Sequence, residues 1–116
     1  MNILKIKQFV NGNLKKIRSI RDIAKEFRVS GETLRRAFRR STGQSLTTHV
    51  LHKRLRAMKH KLRTTDQRCF EIIYSVGFRR EDSAARTFHK ITGMTMERYR
   101  KKYYQRRGHR SEKRIK

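Results

Sequence analysis

A repeat with an offset of fifty residues constrains the fold of this chain more than any other feature. The stretch RAFRRSTGQS, from Arg36 to Ser45, and the stretch RTFHKITGMT, from Arg86 to Thr95, share Arg, Phe, Thr and Gly at the same offsets. Both also carry a basic residue at the fifth position and a hydroxyl residue at the last. A chain of 116 residues has room for one small domain or for two small lobes. The repeat therefore predicts two copies of one structural unit.

Apolar residues follow helical spacing through both copies, and the alternation of Val, Ile and Thr that would indicate strands is absent. This pattern predicts an all-α fold of about seven helices. The residues expected to face the core are Ile3, Ile6, Val10, Ile20, Ile23, Ala24, Phe27, Leu34, Ala37, Phe38, Leu51, Leu55, Met58, Leu62, Ala84, Ala85, Phe88 and Ile91.

Hydroxyl residues and glycines mark the expected ends of these helices. Ser30, Ser45 and Thr95 are predicted N-caps, and the glycines at 43 and 93 are predicted to end the second helix of each copy. Two further pairs have the spacing of a capping box, namely Ser19 with Asp22 and Thr64 with Gln67.

Each copy also reads as two helices joined by a short turn. The turns are RVS, at residues 28–30, and VGF, at residues 76–78, and each supplies one inward hydrophobic residue, Val29 or Phe78. Gly77 occupies the position at which a positive φ is easiest, and Arg28 occupies it in the first copy. The pattern predicts two helix-turn-helix lobes, at 1–45 and 64–102, joined by a long helix at 46–63 and followed by a basic tail at 103–116.

The charge of the chain indicates a polyanionic partner. Lys and Arg number 33 against 9 acidic residues, which gives a formal charge of +24. Nucleic acid and anionic membrane are the two candidates, and no apolar run approaches the roughly 20 residues that a bilayer span needs. The single cysteine, Cys69, cannot form an intrachain disulfide and fits a reducing, intracellular setting.

We expect neither a metal, a cofactor nor a catalytic site. His49 and His52 have a spacing that could share a metal, but no third ligand is evident. The nine acidic residues do not form the cluster that a metal-dependent recombinase or transposase would need. This leaves nucleic-acid binding as the predicted activity.

The outward face of the second helix in each copy carries the candidate DNA contacts. Arginine there can bind guanine, and a carboxylate can accept from cytosine or can complement the helix dipole. An exposed, solvated face is the alternative for the arginines. The candidates are Glu32, Arg35, Arg36 and Arg39 in the first copy and Glu81, Asp82, Arg86 and His89 in the second, with Arg40 and Lys90 as phosphate contacts.

The pattern from Gly77 to Arg100, with RTFHKITGMT at its centre, resembles the signature of the AraC/XylS family of bacterial transcription regulators. The upstream SIRDIAKEFRVSGETLRRAFRRSTGQSL is similar to that family's first helix-turn-helix, so the resemblance covers about residues 3–102. Three positions depart from the family pattern: Met96 follows Thr95 where a proline is common, Glu32 stands where an aromatic is frequent, and Arg28 replaces a glycine.

The resemblance implies a seven-helix domain with two lobes held by a long helix at about Leu46 to Leu62. It also implies that two recognition helices enter successive major grooves, that the chain binds as a monomer, and that it contacts RNA polymerase. The base-facing positions that it implies are Glu32, Arg35 and Arg36 in the first lobe and Glu81, Asp82, Ser83 and Arg86 in the second.

We therefore expect a sequence-specific regulator that binds double-stranded DNA, activates transcription, and lies in the cytoplasm in association with the nucleoid. A charge-driven nucleic-acid or nucleoid binder with little sequence specificity is the alternative.

Overall fold

The computed structural model describes residues 1–105, and these residues form seven α-helices and no strand. The all-α prediction is confirmed. The predicted basic tail lies outside the described residues from residue 106 onward. The helices are α1 (Ile3–Gly12), α2 (Ile20–Glu26), α3 (Gly31–Thr42), α4 (Leu46–Thr64), α5 (Cys69–Ser75), α6 (Glu81–Thr92) and α7 (Met96–Tyr103).

The chain divides into two compact units, Met1–Arg54 and a second unit that starts at Leu55, so the boundary falls inside α4. Among residues 1–105, no helix has the length and apolar character needed to cross a membrane.

The core of the first unit contains most of the apolar stripe that the helical spacing predicts, together with Ile17, Leu46 and Val50, which were not predicted. Each of the four helices contributes residues four or fewer apart, which places them on one face. Half-buried side chains, among them Phe9 and Phe27, pack against this core, and their rings meet edge to face at 5.9 Å. The buried members are Ile6, Val10, Ile17, Ile20, Ile23, Ala24, Leu34, Phe38, Leu46 and Val50.

The second unit buries, on α6, the pair of positions that the first unit buries on α3. Ala84 and Phe88 are fully buried, as are Leu34 and Phe38 fifty residues earlier. The ring of Tyr99, from α7, meets Phe88 edge to face at 5.6 Å. The other buried residues of this unit are Leu55, Met58, Leu62, Ile72, Ile73, Val76 and Met96.

Two predicted core positions are wrong and four are only half right, namely Ile3, Phe27, Ala37 and Leu51, which are half-buried. Ile91 is 46% exposed, and its counterpart Ser41 is exposed as well, so this position faces solvent in both copies. Ala85 is exposed because it lies one residue beyond the buried Ala84, a rotation of about 100° around the helix. Leu51, near the middle of α4, is half-buried.

The turns of the two units have the same backbone hydrogen bonds. The amide of Val29 donates to the carbonyl of Ala24 at 3.1 Å, and the amide of Phe78 donates to that of Ile73 at 3.2 Å. This is the hydrogen bond of a Schellman-type helix end, which needs a left-handed residue just before the donor. That residue is Gly77, with φ 103°, in the second unit and Arg28, with φ 55°, in the first.

The repeated Thr-Gly is a helix stop. The hydroxyl of Thr42 donates to the carbonyl of Phe38 at 2.8 Å, and that of Thr92 donates to Phe88 at 2.7 Å. The glycines that follow have φ 76° and 78°. The predicted N-caps Ser30, Ser45 and Thr95 each accept from the backbone amide three residues on, at 3.1 Å.

One of the two predicted capping boxes is wrong. Helix α4 continues through Thr64, whose hydroxyl donates back to the carbonyl of His60 at 2.7 Å. The N-cap of α5 is Arg68, and the carboxylate of Glu71 accepts from its amide at 2.8 Å. At the other site, the carboxylate of Asp22 accepts from the amide of Ser19 at 3.3 Å, as predicted.

We expect Arg28→Gly to stabilise the first unit. A non-glycine residue pays a steric penalty at φ 55°, so removing its Cβ should raise the free energy of unfolding by about 0.5–1 kcal/mol, measured by urea denaturation. Gly43→Ala is the reciprocal control and should lower the free energy of unfolding, because the φ of Gly43 is also positive. The space around its Cα is open, so the backbone conformation alone would account for the loss. A loss of stability in Arg28→Gly would contradict this assignment of strain.

His49 is the one polar residue that is buried among the described residues. Its ring lies 5.1 Å from that of Phe38, and its Nε2 has no hydrogen-bond partner. Burial lowers the pKa of His49, and the positive charges of Lys53 and Lys7 and the neighbouring His52 lower it further. The imidazole is therefore held neutral inside the first unit.

We expect the first unit to lose stability in mild acid. Because the folded pKa of His49 lies below the unfolded value of about 6.5, the unfolded chain binds more protons, and stability falls as the pH drops below that value. Unfolding free energies measured between about pH 7.5 and about pH 5.5 test this. His49→Gln should flatten the profile, whereas His52→Gln, at an exposed position, should not. An unchanged slope in His49→Gln would refute the assignment.

Candidate nucleic-acid interface

Helix α3 presents every predicted contact residue to solvent. Leu34 and Phe38 anchor the helix to the core of the first unit, and the opposite face is left outward. The capping hydroxyl of Ser30 fixes the start of the helix and so the position of its first turn. The exposed predicted residues are Glu32, Arg35, Arg36, Arg39 and Arg40.

An ion pair links two of these residues. The Arg36 guanidinium lies 2.8 Å from the Glu32 carboxylate, one helical turn away. Both side chains remain more than 70% exposed, so the pair leaves them accessible to a ligand. An exposed pair of this kind adds little to stability.

Helix α6 places its predicted residues in the same way. Glu81, Asp82, Ser83, Arg86, His89 and Lys90 are all exposed. Ala84 and Phe88 are buried on the opposite face.

Asp82 lies between two arginines. Its carboxylate accepts from Nε and an Nη of Arg80 at 3.2 and 3.0 Å and lies 3.5 Å from Arg86. The hydrogen bonds from Arg80 and from the amide of Ser83 lower the pKa of Asp82, so this acid is ionised at neutral pH.

Sequence reasoning missed two residues that hold the acids of α6. Arg80 precedes the helix as its N-cap, where the first unit has Ser30. The Tyr74 hydroxyl donates to Glu81 at 3.1 Å, and this bond raises the pKa of Tyr74. The basic pair Arg79–Arg80 directly before two acids was the available signal for the first contact, whereas the second joins two helices and leaves no local pattern.

The two recognition helices differ in charge. Helix α3 carries four arginines and one glutamate, whereas α6 carries two carboxylates against Arg86 and Lys90. The exposed face of α3 is therefore the more positively charged of the two.

Several arginines have a structural role and lie outside the exposed faces of α3 and α6. Arg54 donates to the backbone carbonyls of Leu14 and Ile17 within the first unit. In the second unit, Arg100 donates to Leu62 and Thr65 carbonyls at 3.2 and 3.1 Å, and Arg63 donates to the Tyr99 hydroxyl. The guanidinium groups of these half-buried arginines therefore have structural partners within their own unit, backbone carbonyls for Arg54 and Arg100 and the Tyr99 hydroxyl for Arg63.

A second basic surface lies at the turn between α6 and α7. Arg98, Lys101 and Lys102 line an open groove there with Gly93 and Met94. The sequence pattern did not predict DNA contacts at these cations. Among residues 1–105, no group of three or more potential metal ligands is present.

The family model described as a helix-turn-helix domain matches residues 23–102, more than half of the chain. The chain belongs to this family, the AraC-type helix-turn-helix domains. Members of the family are DNA-binding transcription regulators and not enzymes, and this chain is accordingly a DNA-binding transcription regulator.

Solved structures with the same fold are similar over most of their length. An AraC-type regulator from Chromobacterium violaceum aligns with a TM-score of 0.78 and 22% identity, covering 89% of this chain and 92% of that one. The C-terminal domain of AraT, a response regulator from Geobacillus stearothermophilus, gives 0.82 and 19% over 89% and 86%. The DNA-binding domain of AdpA, in complex with a target DNA, gives 0.81 and 22% over 87% and 91%.

Proposed function

We propose that the protein binds double-stranded DNA sequence-specifically by inserting α3 and α6 into successive major grooves. The observation that supports this most is the repeated outward face, with Arg36 and Arg86 exposed at the same offset on two helices that both end at a left-handed glycine. A recognition helix contacts base edges through its early residues, which here are also the exposed ones.

Arginine is the residue that reads guanine best. Its guanidinium bonds O6 and N7 together, and such a pair discriminates by about 1–3 kcal/mol. Arg35 and Arg36 in α3 and Arg86 in α6 are therefore the proposed base readers. Glu32, Glu81, Asp82 and Ser83 complete the proposed base-facing set, and His89, in the last turn of α6, is a further proposed DNA contact.

Cations nearer the helix ends are proposed to hold phosphates. Arg39, Arg40 and Lys90 lie in the last turns of α3 and α6, away from the first turns that reach bases. The groove cations Arg98, Lys101 and Lys102 extend this set in the second unit.

We infer that the chain acts as a monomer on DNA, in the cytoplasm and on the nucleoid, and that it activates transcription through contact with RNA polymerase. The support is the family resemblance together with the presence of two complete units in one chain.

A charge-driven binder with little sequence choice is the second candidate. The observation that favours it is the formal charge of +24, which attracts any nucleic acid. The two candidates differ in whether base identity matters once salt has weakened phosphate attraction.

We expect Arg36→Ala and Arg40→Ala to have different effects. Duplexes selected from a random pool at about 150 mM salt supply the site, because non-specific binding falls steeply with salt. Arg36→Ala should lose about 1–3 kcal/mol of preference at one base pair. Arg40→Ala should weaken binding to all duplexes evenly and reduce the salt slope by about one.

Stability serves as the control, since both side chains are exposed and neither change should alter the unfolding free energy. No enrichment of any sequence, or an even loss in both variants, would favour the charge-driven binder instead.

A further inference from the structure

The same acid–arginine pair occurs on both recognition helices. Glu32 pairs with Arg36 at 2.8 Å, and Asp82 lies 3.5 Å from Arg86. In each case the acid is the second residue of the helix, and the arginine follows four residues later on the exposed face. The two pairs are fifty residues apart, so they stand at equivalent positions of the repeat.

Folding does not explain these pairs. All four side chains are at least 55% exposed, and exposed ion pairs contribute little to stability. An interaction with the helix dipole would favour an acid in the first turn, but it would not require an arginine one turn later.

Acidic residues on the exposed faces of α3 and α6 weaken the attraction of these faces for DNA. A carboxylate that approaches DNA is repelled by phosphates, and the chain has only nine acidic residues in total. Three of them, Glu32, Glu81 and Asp82, nevertheless lie on the exposed faces of α3 and α6.

Such an acid–arginine pair can take part in base recognition. A guanidinium has five donors, so one can stay on the carboxylate while two others bind O6 and N7 of guanine. The second carboxylate oxygen can then accept from the N4 amino group of a cytosine. In α6 the carboxylate is also held by Arg80 through two hydrogen bonds, which fixes its orientation.

We propose that Glu32 and Asp82 are specificity-determining residues: each orients its arginine toward guanine and accepts a hydrogen bond from a cytosine of a neighbouring base pair. The inference rests on the proposed function. It adds that the two blocks of the DNA site share one G·C-containing element, although the other residues of α3 and α6 differ.

The test uses Glu32→Gln and Asp82→Asn in the full chain, against duplexes in which each base pair of the selected site is replaced in turn. Both variants keep the side-chain shape and remove the charge, and an amide prefers adenine. We expect the preference for cytosine at one position per block to fall about tenfold and to move toward adenine. Non-specific affinity, measured on an unrelated duplex, should rise at the same time because a repulsive charge is gone.

Glu26→Gln is the matched control. Glu26 is exposed on α2 of the first unit, outside the recognition helix, so its neutralisation should raise non-specific affinity and leave every base preference unchanged. Thermal unfolding of all three variants should match that of the parent chain, because surface changes of this kind alter stability little.

Two results would overturn the inference, and they are distinguishable. If Glu32→Gln and Asp82→Asn behave like Glu26→Gln while Arg36→Ala still loses a guanine preference, the acids only adjust charge and the proposed function stands. If the parent chain shows no base preference at all, the proposed function falls together with the inference.

Discussion

The hydrogen bond that closes each turn is the constraint on which the rest of the structure depends. In the first unit the amide of Val29 reaches back to Ala24, and this is possible only because Arg28 adopts a left-handed conformation. That bond fixes where the next helix starts, and the buried pair Leu34 and Phe38 then fixes its rotation. The outward face is a consequence of these two restraints. The second unit repeats them with glycine in place of the strained arginine.

Electrostatics then separates two kinds of basic residue. Cations that donate to backbone carbonyls, such as Arg100, help to hold a unit together, whereas exposed ones such as Arg36 pair only with an acid on their own helix. A formal charge of +24 opposes compaction, and no described acid is buried to neutralise it. Of the two helices that carry the candidate DNA contacts, α3 has four arginines and one acid, whereas α6 has two acids against Arg86 and Lys90, so the exposed face of α3 is the more basic.

Much of the fold follows from local patterns in the sequence. Helix spacing, the hydroxyl caps and the Thr-Gly stops depend on residues within four positions of one another, and these predictions are confirmed. The failures have a local cause as well. Thr64 looked like a cap, but a threonine hydroxyl can also donate to the carbonyl four residues back, which it does here. The contacts missed entirely, such as Tyr74 with Glu81, join two helices and cannot be found from spacing. The exposure of the candidate DNA contacts follows from the same helical spacing, because the residues opposite the buried pairs on α3 and α6 face solvent.

Interference by guanine N7 methylation tests most directly whether Arg36 and Arg86 read bases. N7 is one of the two guanine atoms that an arginine would bond in the major groove. Duplexes carrying the selected site would be methylated sparsely, bound at about 150 mM salt, and separated into bound and free fractions. If both units read bases, the interfering guanines should fall in two clusters about 10 base pairs apart, with one cluster lost in Arg36→Ala and the other in Arg86→Ala. A single cluster would contradict the claim that both units read bases, and no interference at any guanine would contradict arginine readout altogether.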